Sequence, residues 1–127
     1  MTVYKINPVA KPRMTQSDKW KKRPAVLKYR AFKDEVRLKM KNTELHEKCI
    51  IFRVPMPTSW SKKKRQEMDG QYHRQTPDLD NMIKALADAL YTQDSVIACF
   101  RAAKYWAQDG AIEVRPITAV GLTASQE

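Results

Sequence analysis

The sequence predicts an α/β (α+β) protein, a two-layer sandwich in which helices cover one face of a four-stranded mixed sheet. Three observations predict this class. β-branched and aromatic residues gather in short runs typical of strands. Two longer segments repeat apolar residues at helical spacing. These segments follow one another in the order β-α-β-(short α)-α-β-β, and such elements bury their apolar faces by packing as two layers.

Two segments have the apolar spacing of helices. The first begins at Pro24, a favourable first helical residue, and runs for about 17 residues. Its apolar face consists of Ala25, Tyr29, Phe32, Val36 and Met40. The second follows Pro77, and its apolar stripe consists of Ile83, Leu86, Ala87 and Leu90. Between them, Ser61–Met68 predicts either a short helix capped by Ser59 or Ser61, or a mobile loop.

Four runs have the composition of strands. Val3–Val9 alternates loosely and predicts the first strand. Cys49–Val54 is β-branched and aromatic, and it predicts a central strand. Val96–Trp106 predicts a long third strand. A hairpin turn at Gln108–Gly110 would join it to the last strand, Ala111–Arg115.

The length of 127 residues, 43% of them hydrophobic and 30% charged, predicts one domain with a sizeable core over residues 1–127. Apolar runs fall short of membrane-spanning length, and residues 1–5 do not read as a signal peptide, so we expect a cytoplasmic protein. Residues 117–127 are small and polar and are expected to fray. Cys49 and Cys99 fit no metal spacing, and we expect buried free thiols rather than a disulfide.

The net charge of +10 is confined to the first third of the chain. Residues 1–42 hold 13 Lys and Arg against three acidic residues, whereas residues 43–127 hold 11 of each sign. This distribution indicates a polyanionic partner, and nucleic acid fits better than an acidic protein or a membrane. Trp20 either stacks on a base or folds back on the core. His73 and Arg74 either contact a phosphate or are surface residues. The candidate DNA-binding residues are Lys11, Arg13, Lys19, Lys21, Lys22, Arg23, Lys62, Lys63, Lys64, Arg65 and Arg74.

Two carboxylates stand two residues apart where the second long helix begins. Asp78 and Asp80 repel each other, so they either share a proton or hold a cation, and such hard oxygen ligands suit Mg²⁺ or Mn²⁺. A simpler alternative is that Asp78 caps the helix, Asp80 interacts with the helix dipole, and Lys84 pairs with Asp80 one turn later. An EF-hand loop is excluded, because Met82 and Ile83 occupy the positions of a ligand and of the required glycine.

The same segment resembles a known family. Pro77–Asn81, Lys84, Asp88–Leu90 and Asp94–Ser95 follow the pattern of the RusA family of Holliday junction resolvases, which are crossover junction endodeoxyribonucleases common in prophages. The resemblance implies a Mg²⁺-dependent homodimer, with Mn²⁺ as a possible substitute, that nicks two strands of a four-way DNA junction during recombination and repair. It needs no small-molecule organic cofactor.

The resemblance also implies roles for individual residues. Asp78, Asp80 and Asp94 match the metal-binding catalytic aspartates of the family, and Lys84 matches its catalytic lysine. We interpret Asp88 as structural. The 14-residue separation between Asp80 and Asp94 is mostly helix and spans about 15–20 Å. The acidic groups would therefore converge from different elements or from different subunits of a symmetric dimer.

Two other functions stay open on the sequence alone. A non-catalytic nucleic-acid-binding module would use the basic residues and would need the aspartate pair only as a helix cap. A protein-interaction subunit would present the basic face to an acidic partner. The first of these predicts binding that weakens steeply with salt, because phosphate contacts release counterions.

Overall fold

The computed structural model describes residues 2–12 and 23–117. The predicted order of elements and the α+β class are confirmed. The elements are β1 (Thr2–Tyr4), α1 (Pro24–Lys39), β2 (Lys48–Pro55), α2 (Lys62–Met68), α3 (Leu79–Leu90), a 3₁₀ turn (Asp94–Val96), β3 (Phe100–Ala107) and β4 (Ala111–Pro116). Predictions for Trp20 and for the tail after Ile117 fall outside the described residues.

The four strands form one mixed sheet in the order β1-β4-β2-β3. β2 pairs in parallel with β3 and antiparallel with β4, which pairs antiparallel with β1. The predicted hairpin at Gln108–Gly110 is therefore wrong, because β2 lies between β3 and β4. Pro55 is the last residue of β2, and a proline cannot donate to a further ladder bond. The chain after β3 can then pass the end of β2 and return as β4.

The core lies between one face of the sheet and two helices. Ile50 and Phe52 of β2 and Ile112 of β4 point towards α1 and α3, which also pack against each other. The predicted stripe of α3 is buried, with Leu90 at its half-buried margin, and Met82, Ala85 and Ala89 widen it. The predicted face of α1 is confirmed except at its start, where Val26 is buried and Ala25 is exposed. Both long helices are thus fixed to the sheet by apolar contact.

Two predicted strands are shorter in the structure. β1 ends at Tyr4, which pairs with Ile112, and β4 begins only one residue before that partner, so β1 has little further strand to pair with. β3 begins at Phe100 rather than Val96. The chain before it forms the 3₁₀ turn, and the backbone N–H of Ala98 donates to Nδ1 of His46 at 3.0 Å instead of joining the sheet.

Both cysteines are free thiols in the described part of the chain, as expected, but neither is fully buried. Cys49 lies in β2, and Cys99 precedes β3 by one residue. Within residues 2–12 and 23–117, no helix has both the length and the apolar character needed to cross a membrane.

The outer edge of β3 is covered by the segment Gly70–His73. The N–H of Gly70 donates to the carbonyl of Trp106 at 2.9 Å, and the N–H of Trp106 donates to that of Gln71 at the same distance. The N–H of His73 donates to the carbonyl of Lys104 at 3.0 Å. These bonds attach the chain to the sheet just before it reaches the aspartate pair.

Candidate metal and DNA-binding site

The segment that precedes α3 is held in place by the side chain of Lys104. This lysine lies in β3 on the helix-covered face of the sheet, level with Phe52. Its ammonium group donates hydrogen bonds to the backbone carbonyls of Gln75 and Pro77. The Thr76–Pro77 peptide bond is cis. The backbone immediately before Asp78 is thus bonded to a side chain from the middle of β3, on the face of the sheet that the helices cover.

The two carboxylates of the pair are exposed and not used by the helix. Asp78 occupies the N-cap position of α3, yet among the described residues its side chain makes no capping hydrogen bond. Asp80 lies in the first turn. No ion pair joins Asp80 to Lys84 in residues 23–117, although both side chains are exposed. The simpler alternative is therefore wrong on two of its points, side-chain capping by Asp78 and pairing of Asp80 with Lys84.

Electrostatics connect the pair to the lysine beneath it. Burial lowers the pKa of Lys104 below the ordinary lysine value, and the negative charge of Asp78 partly opposes this effect. The ammonium group of Lys104 thus lies close enough to Asp78 for the two charges to interact. Two exposed carboxylates that form no ion pair within residues 2–12 and 23–117 are hard oxygen donors of the kind that suit Mg²⁺ or Mn²⁺. The residues present therefore fit a divalent cation.

The third predicted ligand follows the other end of α3. The start of α3 lies beside the middle of β3, where Lys104 reaches Pro77. Just beyond its end, the hydroxyl of Tyr91 donates to Glu44 at 2.7 Å and accepts from the N–H of Leu45 at 2.8 Å, both of which precede β2. The backbone of Asp94 opens the 3₁₀ turn that follows. A helix of 12 residues is about 18 Å long, so one chain holds the pair and Asp94 at opposite ends of α3.

No group of three metal-ligating side chains is found among the side chains that the structure describes, which do not include that of Asp94.

Asp88 is a structural anchor on α3. Its Oδ2 accepts from the hydroxyl of Tyr29 in α1 at 2.9 Å and lies 2.7 Å from the ammonium group of Lys11. Burial tends to raise the pKa of Asp88, but the hydrogen bonds from Lys11 and Tyr29 outweigh it and lower that pKa below its ordinary value. Burial together with the bond to Asp88 raises the pKa of Tyr29. The interpretation of Asp88 as structural agrees with these contacts, and Lys11 is already engaged in an ion pair.

The remaining candidate DNA-binding residues divide by position. Arg13, Lys19, Lys21 and Lys22 fall outside the described residues. Arg23 is the exposed N-cap residue of α1, and Arg74 is exposed. The cluster Lys62–Arg65 supplies more than half of the short helix α2. A helix capped by Ser61 was one of the structures predicted for this segment, and it is the one observed. The structure thus presents the second basic cluster on an ordered helix.

His73 is neither a phosphate ligand nor a surface residue. Its side chain is 3% exposed and packs on Trp106 with ring centroids 4.1 Å apart. Burial lowers the pKa of His73, and the nearby charge of Lys104 lowers it further. The imidazole is therefore neutral at pH 7, and in the described part of the chain its Nδ1 has no hydrogen-bond partner. Both predicted roles for His73 are wrong, whereas Arg74 is on the surface.

Sequence reasoning missed Lys104 and the pairing of Trp60 with Trp106. The alternation of β3 was a usable signal, because it places Lys104 on the same face as Ala102 and the buried Trp106. A lysine on the inward face of a strand must find oxygen partners. The identity of those partners depends on the course of residues 70–77, which no local pattern indicates.

Comparison with protein families gives one result that bears on function. The family model described as Endodeoxyribonuclease RusA matches residues 5–116. The match covers all three candidate aspartates, Lys84 and Lys104. Neither the curated proteins nor the solved structures compared with the chain give a match.

Proposed function

The chain belongs to the RusA family of endodeoxyribonucleases, and from this premise we propose that it is a Mg²⁺-dependent resolvase of Holliday junctions. One observation carries the proposal beyond family membership. Asp78 and Asp80 begin a helix with exposed carboxylates that neither cap it nor pair with a described cation within 4 Å. Side-chain capping and ion pairing therefore do not account for these two carboxylates, which leaves their oxygens available to a cation.

The residues divide the chemistry as follows. Asp78 and Asp80, with Asp94, would hold the divalent cation. The bound cation supplies a nucleophilic water at neutral pH and neutralises charge on the phosphoryl oxygens. Lys84 lies one helical turn after Asp80 on an exposed part of α3, where its ammonium group can stabilise charge that develops on the scissile phosphate. Lys104 keeps the backbone before Asp78 in place and takes no direct part.

We propose a homodimer as the active form. Because α3 separates the pair from Asp94 within one chain, a complete ligand set is more readily assembled when Asp94 comes from a second copy. A two-fold symmetric dimer would carry two such sites. Two equivalent sites suit a four-way junction, whose resolution requires a nick in each of two strands.

We propose that the basic residues hold the junction. Lys62, Lys63, Lys64, Arg65 and Arg74, together with the cations of the first third of the chain, would contact phosphates. Such contacts add affinity without reading sequence. The protein would act in the cytoplasm, where it meets recombining DNA, and residues 1–127 would work as one endonuclease domain.

The test is cleavage of a synthetic four-way junction. Purified protein is incubated with the labelled junction and Mg²⁺, and the Asp80→Asn variant, shown to be folded by circular dichroism, serves as the control. We expect paired nicks that require the metal and are absent from the variant. Absence of cleavage above that control, in both Mg²⁺ and Mn²⁺, contradicts the proposal.

The alternative function is a non-catalytic nucleic-acid-binding module. The basic helix α2 is the observation that favours it, because α2 would bind phosphates with or without a metal. That function predicts junction binding without cleavage, and Asp78→Asn and Asp80→Asn would leave divalent-metal affinity unchanged. A loss of metal affinity in either variant would rule it out.

A further inference from the structure

The helix α2 is ordered without being packed into the core. Within the described residues it has no buried side chain, so apolar contact does not hold it in place. The hydroxyl of Ser61 accepts from the N–H of Lys64 at 3.2 Å, and the guanidinium of Arg65 donates to the carbonyl of Pro57 at 3.0 Å. Capping of this kind contributes about 1 kcal/mol. Polar contacts, together with the half-buried side chain of Met68, therefore set the helix in position beside the sheet.

One face of α2 borders an open cleft of about 350 Å³. Lys62, Gln66 and Asp69 lie on that face, because their spacings of four and three residues bring them to one side of a helix. Trp60 and the buried Met56 supply an apolar wall, and Thr58 and Gln108 add polar groups to the lining. The volume lies in the range of small-ligand sites, about 300–1,000 Å³. We name this space the α2 cleft.

The apolar wall is an aromatic row that leads towards the carboxylates. Trp60 is half-buried, and its ring lies 4.7 Å from that of Trp106, which in turn contacts His73. Lys64 places its ammonium group 4.3 Å from the centre of the Trp60 ring. Trp106 is bonded through its backbone to the segment Gly70–His73, and that segment continues to Asp78. The cleft and the candidate metal site are thus joined by one continuous stretch of chain.

A nucleotide matches this combination of groups. Proteins that bind unpaired nucleic acid place aromatic rings for base stacking beside cations for the backbone. In the α2 cleft, Trp60 would offer the stacking surface once the exposed Lys64 side chain moves from over its ring, and Lys62 would offer the phosphate contact. Gln66, Gln108 and Asp69 offer amide and carboxylate groups at the rim, and the Asp69 carboxylate accepts from an exocyclic amino group such as that of cytosine.

We propose that the α2 cleft binds an unpaired nucleotide of the DNA, with its base stacked on Trp60. The inference rests on the proposed function, because a branched junction is the substrate in which a base can leave its stack close to the scissile phosphate. Taking out a base that has lost a stacking neighbour costs less than taking one from an intact duplex. The cleft would then help to select branched over linear DNA.

The experiment measures binding of a fluorescein-labelled oligodeoxycytidylate by anisotropy, in EDTA. A probe of the same length and charge that carries abasic sites is measured in parallel. We expect Trp60→Ala to weaken binding of the cytidylate probe about 10-fold and to leave the abasic probe nearly unchanged. Trp60→Phe keeps an aromatic face and should stay close to the wild-type protein.

A matched pair of variants tests the wall formed by α2. Lys62→Ala and Lys63→Ala remove the same charge from adjacent residues of one helix, but only Lys62 borders the cleft. We expect the Lys62 variant to lose several-fold more affinity for the cytidylate probe. Gln66→Ala tests the rim of the cleft if Trp60→Ala folds poorly. Gln66 is an exposed helical position, where alanine is well tolerated. We expect this variant to weaken binding of the cytidylate probe and not of the abasic probe.

The proposal is overturned if the Trp60 and Gln66 variants affect both probes equally or affect neither, or if Lys62→Ala and Lys63→Ala are equivalent. These measurements contain no divalent metal, so they do not depend on cleavage. Base-dependent binding in a protein that fails to cut junctions with Mg²⁺ would support the cleft and overturn the nuclease. Cleavage that is intact in a protein without base-dependent binding would do the reverse.

Discussion

Asp78 and Asp80 are candidate metal ligands because, among the described residues, neither side chain caps the helix or forms an ion pair. The N-cap position of a helix usually uses a short polar side chain to accept a free backbone N–H, and Asp78 holds that position without making the bond. The spacing of the pair and its resemblance to the RusA pattern were readable from the sequence. The sequence did not indicate whether these carboxylates would cap the helix, because side-chain rotamers at a helix start depend on neighbours such as Lys104.

Asp78→Asn separates the metal role from a structural one. Because the Asp78 side chain makes no capping bond among the described residues, we expect a loss of stability below about 1 kcal/mol. Affinity for Mg²⁺ or Mn²⁺ should fall at least about 10-fold, since a neutral amide replaces a charged oxygen ligand. Isothermal titration with Mn²⁺ and thermal denaturation measure the two effects. A variant that is strongly destabilised but binds metal normally contradicts this assignment.

Lys104→Met tests the support beneath the pair. The variant loses the hydrogen bonds to the carbonyls of Gln75 and Pro77, and we expect it to be less stable by about 1–3 kcal/mol. Metal affinity should fall as well, because the backbone before Asp78 is no longer fixed. Lys104→Arg should restore part of both properties.

Lys84→Met is the matched control for Lys104→Met. It should reduce cleavage while stability and metal affinity stay close to wild type, because Lys84 is exposed and its side chain bonds to no backbone carbonyl in the described part of the chain. Equal behaviour of the two methionine variants would show that Lys104 has no positioning role.

Asp88 links stability to pH. Its pKa is depressed in the folded protein by Lys11 and Tyr29, so the carboxylate stabilises the fold at pH values above its unfolded pKa of about 3.9. This contribution is lost as the pH falls through the lower, folded value. We expect Asp88→Asn to lower the free energy of unfolding by about 1 kcal/mol at pH 7, allowing for partial exposure. The difference from wild type should shrink below about pH 4, as urea denaturation at several pH values would measure; a constant difference would contradict the ion-pair explanation.

At the scale of elements, periodicity predicted the helices well and strand pairing poorly. The stripe of α3 and most of the face of α1 follow from residues three and four apart, and a local pattern is sufficient for that. The placement of β2 between β3 and β4 is non-local. The composition of Gln108–Gly110 favours a turn, but the same residues serve a tight hairpin or a connection that passes the end of another strand.

Gly110→Ala tests this connection. A Cβ at Gly110 would lie 1.9 Å from Oδ1 and 2.9 Å from Cα of Asn7, so the turn after β3 packs directly on the chain that follows β1. We expect a loss of about 1–3 kcal/mol in the free energy of unfolding. Adding Asn7→Ala should recover only part of it, because the close contact with backbone remains. Denaturation of the single and double variants measures this, and a fully tolerated Gly110→Ala would contradict the packing.

At the scale of the whole molecule, the distribution of charge was predictable and the assembly of the site was not. Counting residues located the excess positive charge in the first third of the chain. The distance between the aspartate pair and Asp94 was also foreseen from helix length, and the course of α3 along the sheet agrees with it. Which copy of the chain supplies each ligand follows from neither composition nor the fold of one chain.

Mixing two inactive variants tests the proposal that each metal site is shared between subunits. If Asp78 and Asp80 come from one subunit and Asp94 from the other, a heterodimer of Asp80→Asn and Asp94→Asn carries one intact site and one doubly altered site. We expect subunit exchange to restore cleavage to about a quarter of the wild-type number of sites, assuming random pairing. The product should be single nicks rather than paired ones, and denaturing gel electrophoresis of a junction labelled on each strand distinguishes them.

The control for this mixing experiment uses two changes from the same end of α3. Asp78→Asn mixed with Asp80→Asn leaves every site with a missing ligand in any dimer, whether the sites are shared or not, so no cleavage should return. If the mixture of Asp80→Asn and Asp94→Asn is as inactive as this control, although exchange is verified by mass spectrometry, the subunits do not share their ligands. The chain would then have to bring Asp94 to the start of α3 within one subunit, against the length of the helix that separates them.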